Sequence, residues 1–139
     1  MTAQSESTVR DFMAIHPQVL GRNDTLDLAE DIMTMGRIRH LPVLNEGELV
    51  GIVSQRDMFR SAAVTALGFA VDTQKALVKT IRIKEIMTEK LFTISPDATV
   101  KEAARIMIEK KIGCLPVVDG MKLIGIITET DILRYVLEH

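Results

Sequence analysis

The chain has 139 residues, of which 47% are hydrophobic and 26% are charged, and its formal net charge is -2. This length and composition predict one compact domain or two small repeats with a buried core. The near-neutral charge offers no broad basic field for phosphate backbones, which argues against nucleic acid as a partner. The single cysteine, Cys114, excludes an internal disulfide and a multi-cysteine metal cluster and fits a reducing, cytoplasmic compartment.

The two ends of the chain carry little structural signal. Residues 1–8 are mostly polar and are expected to form a flexible N-terminus. No apolar run reaches the roughly 20 residues of a membrane span, and no basic segment followed by an apolar one indicates a signal peptide. We therefore expect no membrane partner. Residues 137–139 resemble the start of an added histidine tag.

Apolar periodicity and turn residues predict the elements of the first half. In chain order they are a helical turn at 9–13, a strand at 19–20, a helix at 25–35, strands at 40–44 and 48–53, and a helix from about 55. Thr25 and its polar neighbours provide N-cap side chains for the first long helix, and Gly36 suits its C-terminal end. Asn45-Glu46-Gly47 is typical of a hairpin turn. Residues 61–80 are interpreted as an extension of the last helix, broken near Gly68.

The second half repeats the first at a constant offset of 74 residues. The pairs that carry the repeat are Met13/Met87, Thr25/Thr99, Ala29/Ala103, Ile32-Met33/Ile106-Met107, Leu41-Pro42-Val43/Leu115-Pro116-Val117, Gly51-Ile52/Gly125-Ile126, Asp57/Asp131 and Arg60/Arg134. In the second copy Asp119-Gly120 predicts a two-residue hairpin turn. Each copy is predicted to be turn–strand–helix–strand–strand–helix. Because about 50 residues form a marginal core alone, the two copies are expected to pack together.

Each copy has a hydroxyl and a carboxylate three residues apart where its last strand meets its last helix. They are Ser54 and Asp57 in the first copy and Thr128 and Asp131 in the second. Locally, this spacing is close to that of a capping box, and an acid in the first turn suits the helix dipole. The same place also suits a ligand. A helix N-terminus beside a hydroxyl favours phosphate, and a carboxylate can accept two hydrogen bonds from a ribose diol. On these residues alone, both interpretations stay open.

The repeat and its motifs together resemble the CBS domain in its usual tandem arrangement, the Bateman module. The matching stretches are 86–88, 95–104, 114–119 and 125–133, with looser equivalents at 12–14, 24–29, 40–44 and 51–59. The resemblance implies an α+β fold of two βαββα repeats packed with pseudo-twofold symmetry. It places repeat 1 at 9–67, a helical linker at 68–82 and repeat 2 at 83–137.

The resemblance also implies that adenosine-containing ligands bind between the copies. AMP, ADP and ATP are the first candidates, S-adenosylmethionine and NADH are further ones, and a need for Mg²⁺ is undecided. One implied site joins Thr88, Phe92, Ile112, Gly113 and Cys114 to Ser54 and Asp57. The other joins Ala14, Ile38, Arg39 and His40 to Thr128 and Asp131.

The two implied sites differ in charge. The copy that contains Asp57 also has Arg39, His40 and Arg56, at places where family members bind phosphate, and arginine offers a forked set of donors for it. The other copy has Gly113, Cys114 and Thr130 at the matching positions. We therefore expect the Ser54/Asp57 site to prefer a phosphorylated nucleotide. The Thr128/Asp131 site should be weaker or suit a less charged ligand.

Other reactive side chains favour structural interpretations. Cys114 lies on an apolar strand, and nothing in the sequence marks a base to activate it, so a buried small hydrophobe is the better interpretation. His40 is either a phosphate contact or a half-exposed strand residue. Two usable histidines and one cysteine do not indicate a metal site or a catalytic triad.

The chain is therefore predicted to be a non-catalytic regulatory module in the cytoplasm, which signals through a change of conformation or oligomeric state. Such signalling requires that the ligand bind one arrangement better than another. The expected protein partners are a second copy, through the repeat helices, and an effector protein. The alternative is a structural dimerisation or scaffold protein with degenerate ligand sites, although the intact Asp57 and Asp131 argue against it.

Overall fold

The computed structural model describes residues 6–66, 76 and 78–139, without the side chains of 61–66. The chain forms two compact units. The contiguous unit is Gln18–Leu91, and the split unit joins Met1–Pro17 to Phe92–His139. The units therefore do not follow the sequence repeats, because each repeat contributes its first segment to the other repeat's unit. The repeat boundaries predicted from the sequence stay a prediction.

The described elements include both helices and strands, in agreement with the predicted α+β class. In chain order they are α1 Val9–Phe12, β1 Ala14–Ile15, β2 Leu20–Gly21, α2 Leu26–Gly36, β3 His40–Asn45, β4 Glu48–Ser54, α3 Gln55–Ala66, a 3-10 turn Ile83–Glu85, α4 Val100–Lys110, β5 Cys114–Asp119, β6 Lys122–Thr128 and α5 Glu129–Glu138. The break predicted near Gly68 and most of the predicted linker lie outside the described residues.

The contiguous unit contains a three-stranded sheet in the order β2-β3-β4. β2 runs parallel to β3, with Leu20 opposite Val43, and β3 and β4 form an antiparallel hairpin. The two-residue loop Glu46-Gly47 has positive φ at both positions, as a tight turn that matches strand twist requires. The buried core of the unit consists of Leu20, Leu26, Ala29, Met33, Leu41, Val43, Val53 and Ile83.

The split unit contains a second sheet in the order β1-β6-β5. β1 pairs antiparallel with β6, with Ala14 opposite Ile126, and β5 and β6 form the hairpin. β1 was not predicted from the sequence, because a two-residue strand is too short to show alternation. The buried core of the unit consists of Val9, Phe12, Ile94, Val100, Ala103, Met107, Leu115, Val117 and Ile127.

Two predicted chain reversals are displaced by one residue. Gly36 is the last helical residue of α2, and the left-handed cap is Arg37, with φ of 52°, matched by Lys111, with φ of 57°, after α4. The second hairpin loop is Gly120-Met121 rather than Asp119-Gly120, because Asp119 pairs with Lys122 as part of the strands. At the two helix ends, Arg37 and Lys111 adopt the left-handed conformation at a free-energy cost that a glycine would avoid.

One glycine in each unit lies under a methionine of a neighbouring segment. A Cβ atom built on Gly125 would lie 2.7 Å from Met13 Sδ and 2.8 Å from the carbonyl oxygen of Ala14. A Cβ atom on Gly51 would lie 2.6 Å from Met87 Sδ and 3.2 Å from the carbonyl oxygen of Thr88. Both glycines are therefore required by close approach of another chain segment, although their own backbone is ordinary.

The last helix of the split unit ends in a cluster of rings. The Tyr135 ring meets Phe12 edge-on at 5.4 Å and stacks on His139 at 4.6 Å between centroids. Nδ1 of His139 lies 3.1 Å from the Tyr135 carbonyl oxygen, and its Nε2 lies 3.3 Å from the Ser7 hydroxyl. The His139 ring thus contacts both the N-terminal segment, at Ser7, and the last helix, at Tyr135. The interpretation of 137–139 as a tag remnant stays a prediction.

Candidate functional site

The junction of β4 and α3 is held by a reciprocal cap. Oδ2 of Asp57 accepts a hydrogen bond from the Ser54 amide at 2.8 Å, and the Ser54 hydroxyl accepts one from the Asp57 amide at 3.0 Å. The next amide, that of Gln55, donates to the carbonyl of Arg39 at 2.8 Å. The capping interpretation is therefore confirmed for this junction, and it leaves Oδ1 of the carboxylate outside the cap.

The junction of β6 and α5 has the same layout with a different hydroxyl geometry. Oδ2 of Asp131 accepts hydrogen bonds from the Thr128 amide at 2.9 Å and from the Thr128 hydroxyl at 3.2 Å. The Glu129 amide donates to the carbonyl of Gly113 at 3.1 Å. The hydroxyl here donates to the carboxylate, so both polar groups of Thr128 bind one oxygen of Asp131.

The two carboxylates differ in burial and in their charged neighbours. Asp131 is 5% exposed, and its Oδ1 accepts a hydrogen bond from Arg134 Nη2 at 2.5 Å. Arg134 itself is half exposed. Asp57 is half-buried, and none of the ion pairs among the described residues involves it. Of the two carboxylates in this motif, Asp131 thus has an arginine partner from its own helix, and Asp57 has none among the described residues.

Each unit also brings other predicted site residues to its junction. His40 lies opposite Ser54 across the β3–β4 hairpin, and Cys114 lies opposite Thr128 across β5–β6. Thr88 exchanges backbone hydrogen bonds with Ile52, at 3.0 and 2.8 Å, two residues before Ser54. In the split unit, the corresponding neighbour is Ala14 beside Ile126.

The remaining predicted residues are divided between the units. The contiguous unit holds Ile38, Arg39, His40, Ser54, Arg56, Asp57 and Thr88, and the split unit holds Ala14, Phe92, Ile112, Gly113, Cys114, Thr128, Thr130 and Asp131. Arg39 and Arg56 are exposed cations, whereas Thr130 is an exposed neutral residue. Arg134 brings a cation to the Asp131 junction as well, so the charge difference predicted for the two complete sites stays a prediction. The pairing of residues from both units into composite sites stays a prediction.

Phe92, which the resemblance assigns to the adenine side, has a cation beside its ring. The Nζ atom of Lys110 lies 5.1 Å from the centroid of Phe92, which is within the range of a cation–π contact. The cation lies at the end of α4, close to the left-handed cap at Lys111.

Cys114 is buried, and its thiol is held in the neutral form. The side chain is 6% exposed. Burial, with a smaller contribution from the charge of Glu129, raises the pKa of the Cys114 thiol from 9.0 to about 12. A thiol that stays protonated in a closed apolar position favours the core interpretation of this residue over a reactive one.

Native Cys114 is therefore expected to resist thiol reagents. At about pH 8, a pKa three units above the ordinary value lowers the thiolate fraction about a thousandfold, and burial blocks the reagent as well. The rate of reaction with an aromatic disulfide reagent should rise to that of free glutathione only when the chain is unfolded in guanidinium chloride. Native labelling at the glutathione rate would contradict the burial of this side chain.

Arg134 and the two backbone carbonyls are the site features that the sequence analysis missed. Arg134 was noticed only as the counterpart of Arg60 in the repeat. Its spacing of three residues from Asp131 on one helix face could have indicated an ion pair. The carbonyls of Arg39 and Gly113 carry no sequence signal, because any residue supplies the same group.

Neither a metal site nor a membrane span is found in the part of the chain that the structure describes. Within residues 6–66, 76 and 78–139, three or more histidine, cysteine, aspartate or glutamate side chains nowhere gather as metal ligands would. Over the same residues, the helices are too short or too polar to cross a bilayer.

The CBS domain family matches the chain over residues 9–63 and 83–138, and the chain belongs to this family. Two solved structures of CBS pairs superpose on it over nearly its full length. The CBS domain pair of protein MJ0100, in complex with 5'-methylthioadenosine and S-adenosyl-L-methionine, has a TM-score of 0.83 at 29% identity and covers 96% of this chain and 98% of its own. CBSX2 in complex with AMP has a TM-score of 0.77 at 30% identity, with 95% and 97% covered.

The curated relatives differ in how much of their length this chain covers. An uncharacterized protein of Methanocaldococcus jannaschii is 35% identical over 78% of this chain, which spans 39% of that protein. A second one from the same organism is 32% identical, and the chain spans 89% of it. The homoserine O-acetyltransferase of Methanohalobium evestigatum is 31% identical, but the chain spans only 25% of it. That match does not carry the transferase activity to this chain.

Proposed function

We propose that this protein is a regulatory ligand-sensing module that binds an adenosine-containing small molecule. The observation that carries the proposal is the strand-to-helix junction that occurs once in each unit, with a hydroxyl at the N-cap and a carboxylate three residues later. The complexes of related CBS pairs with AMP and with S-adenosyl-L-methionine support an adenosine ligand class.

The chemistry of the junction suits a nucleoside phosphate. The cap uses Oδ2 of Asp57, so Oδ1 can accept a hydrogen bond from a ribose hydroxyl without breaking the start of the helix. Arg39 and Arg56, exposed in the same unit, offer positive charge for phosphate. We therefore expect AMP, ADP or ATP to bind best through the Asp57 junction, with each complete site joining residues of both repeats.

Signalling is proposed to use a second copy of the chain. In the split unit, α4 and α5 flank an apolar groove of about 510 Å³, with Ile108 77% exposed and Leu133 64% exposed beside it. Contiguous apolar surface of this kind is typical of association sites. A homodimer formed through such helices would let a ligand shift one arrangement of copies over another, which an effector protein in the cytoplasm then reads.

Adding the ligand should raise the melting temperature of the purified chain. A ligand that binds only the folded state at 100 times its Kd stabilises it by about 2.7 kcal/mol, which is a shift of several degrees. The screen compares AMP, ADP, ATP, NADH and S-adenosylmethionine at millimolar concentration, with GMP as the matched control for charge. Mass measurement with and without the stabilising ligand then detects a change of oligomeric state. A flat response to all five would support the scaffold alternative.

A further inference from the structure

We propose that Arg134 is an internal competitor of the ligand at the Asp131 junction and lowers the affinity of that site. This inference rests on the proposed function, since it concerns how one of the two ribose-binding carboxylates is regulated. The two junctions share one sequence motif, and Arg134 would make their ligand affinities differ.

The two carboxylate oxygens of Asp131 have different partners. Oδ2 is used by the cap, because it accepts hydrogen bonds from the amide and the hydroxyl of Thr128. Oδ1 is the oxygen that the cap leaves over, and Arg134 Nη2 holds it at 2.5 Å. A ribose hydroxyl that is to bind this carboxylate must therefore displace the guanidinium.

The contiguous unit has the same cap without this occupant. Oδ2 of Asp57 binds the Ser54 amide, as in the other unit. Among the hydrogen bonds of the described residues, none is made by Oδ1 of Asp57. Arg60 stands three residues after Asp57, as Arg134 does after Asp131, but it is exposed and forms no ion pair within the described part of the chain. Both repeats thus have an arginine three residues after the aspartate, but among the described residues only Arg134 binds its aspartate.

Displacing Arg134 from Asp131 costs little free energy, because the arginine side chain is 53% exposed. The guanidinium can turn into water without leaving a buried charge behind, so the competition is graded rather than absolute. The carboxylate is different, because a buried Asp131 that lost Arg134 would gain by accepting another donor. A ribose hydroxyl is such a donor, and it replaces the arginine only at the free-energy cost of breaking a partly screened ion pair.

The test isolates the Asp131 junction by changing Asp57 to Asn, which weakens the other ribose contact but keeps an acceptor for the Ser54 amide. In this background, isothermal titration measures binding of AMP and of adenosine to three proteins: the Asp57→Asn chain, the same chain with Arg134→Gln, and the same chain with Arg60→Gln. Adenosine removes the phosphate from the comparison, and Arg60→Gln is the matched loss of one positive charge on the equivalent helix.

Arg134→Gln is expected to tighten binding of both probes about threefold to fivefold, which is the upper part of the range for an exposed ion pair. Arg60→Gln should change either affinity by less than about twofold. Unchanged or weaker adenosine binding in Arg134→Gln would overturn the inference, and a loss confined to AMP would identify Arg134 as a phosphate contact instead. If the unmutated chain binds neither probe, the proposed function fails first and the competitor role fails with it.

Discussion

Replacing Gly125 with alanine is expected to lower the free energy of unfolding by about 2–3 kcal/mol, which is the upper range for overpacking a close contact. The added methyl group would lie 2.8 Å from the carbonyl oxygen of Ala14, which is backbone and cannot turn away. β1 would then have to move off β6. Urea unfolding followed by circular dichroism measures the loss, which should also lower the melting temperature by about 10 °C.

Gly51→Ala is the matched control for this prediction. Its methyl group would meet mainly the flexible thioether of Met87, at 2.6 Å, while the nearest backbone oxygen is 3.2 Å away. A double-mutant cycle with Met87→Ala should therefore recover most of the cost at Gly51, and one with Met13→Ala should recover only part of it at Gly125. Equal recovery of unfolding free energy at the two glycines would show that the Ala14 carbonyl does not add to the cost at Gly125.

Loss of the Asp57 carboxylate is expected to weaken AMP binding about 10- to 100-fold. Hydrogen bonds to a charged group contribute about 1.5–3 kcal/mol, and Asp57→Ala removes those made to the ribose. Asp131→Ala should cost clearly less, since Arg134 already occupies the oxygen that ribose would use. Titration calorimetry on the two single variants measures both losses.

Glu85→Ala is the control that separates binding from capping. Glu85 accepts a hydrogen bond from the Arg82 amide at 2.6 Å, so its loss removes a similar cap in the same unit away from the junction. Its AMP affinity should stay unchanged, although its melting temperature should fall by an amount like that of Asp57→Ala. Equal losses of affinity in Asp57→Ala and Asp131→Ala would contradict the asymmetry between the sites.

The local structure of each repeat could be predicted because its signals are short in range. Thr25 and Thr99 mark the starts of α2 and α4, and the hairpins follow from the turn residues at Gly47 and Gly120. The offset of 74 residues strengthened every one of these assignments, because two weak signals at one spacing are far more specific than one.

The long-range pairing could not be predicted in the same way. Ala14 and Ile15 have no turn signal and no alternation, yet they form an edge strand with β6. The exchange of first segments between repeats involves close packing of Met13 on Gly125 and of Met87 on Gly51, which no local window contains. Register of this kind depends on tertiary contacts rather than on propensity.

The candidate site was predictable in its residue types and not in its contacts. Ser54, Asp57, Thr128 and Asp131 could be singled out by their spacing alone. The sequence did not indicate which oxygen each carboxylate would leave outside its cap, or that Arg134 would bind one of them while Arg60 stayed exposed. Side-chain choices among near-equal partners are decided by burial, and burial differs between Asp131 and Asp57.

The division into a contiguous and a split unit sets the order in which the two units can fold during translation. A ribosome delivers Gln18–Leu91 as one stretch, so that unit can collapse while the rest of the chain is still being made. Val9, Phe12 and Ala14 must wait, because their partners in α4, β5 and β6 come last, and closing so long a loop carries an entropic cost. Residues 9–15 thus wait for their partners until most of the second repeat has been synthesised.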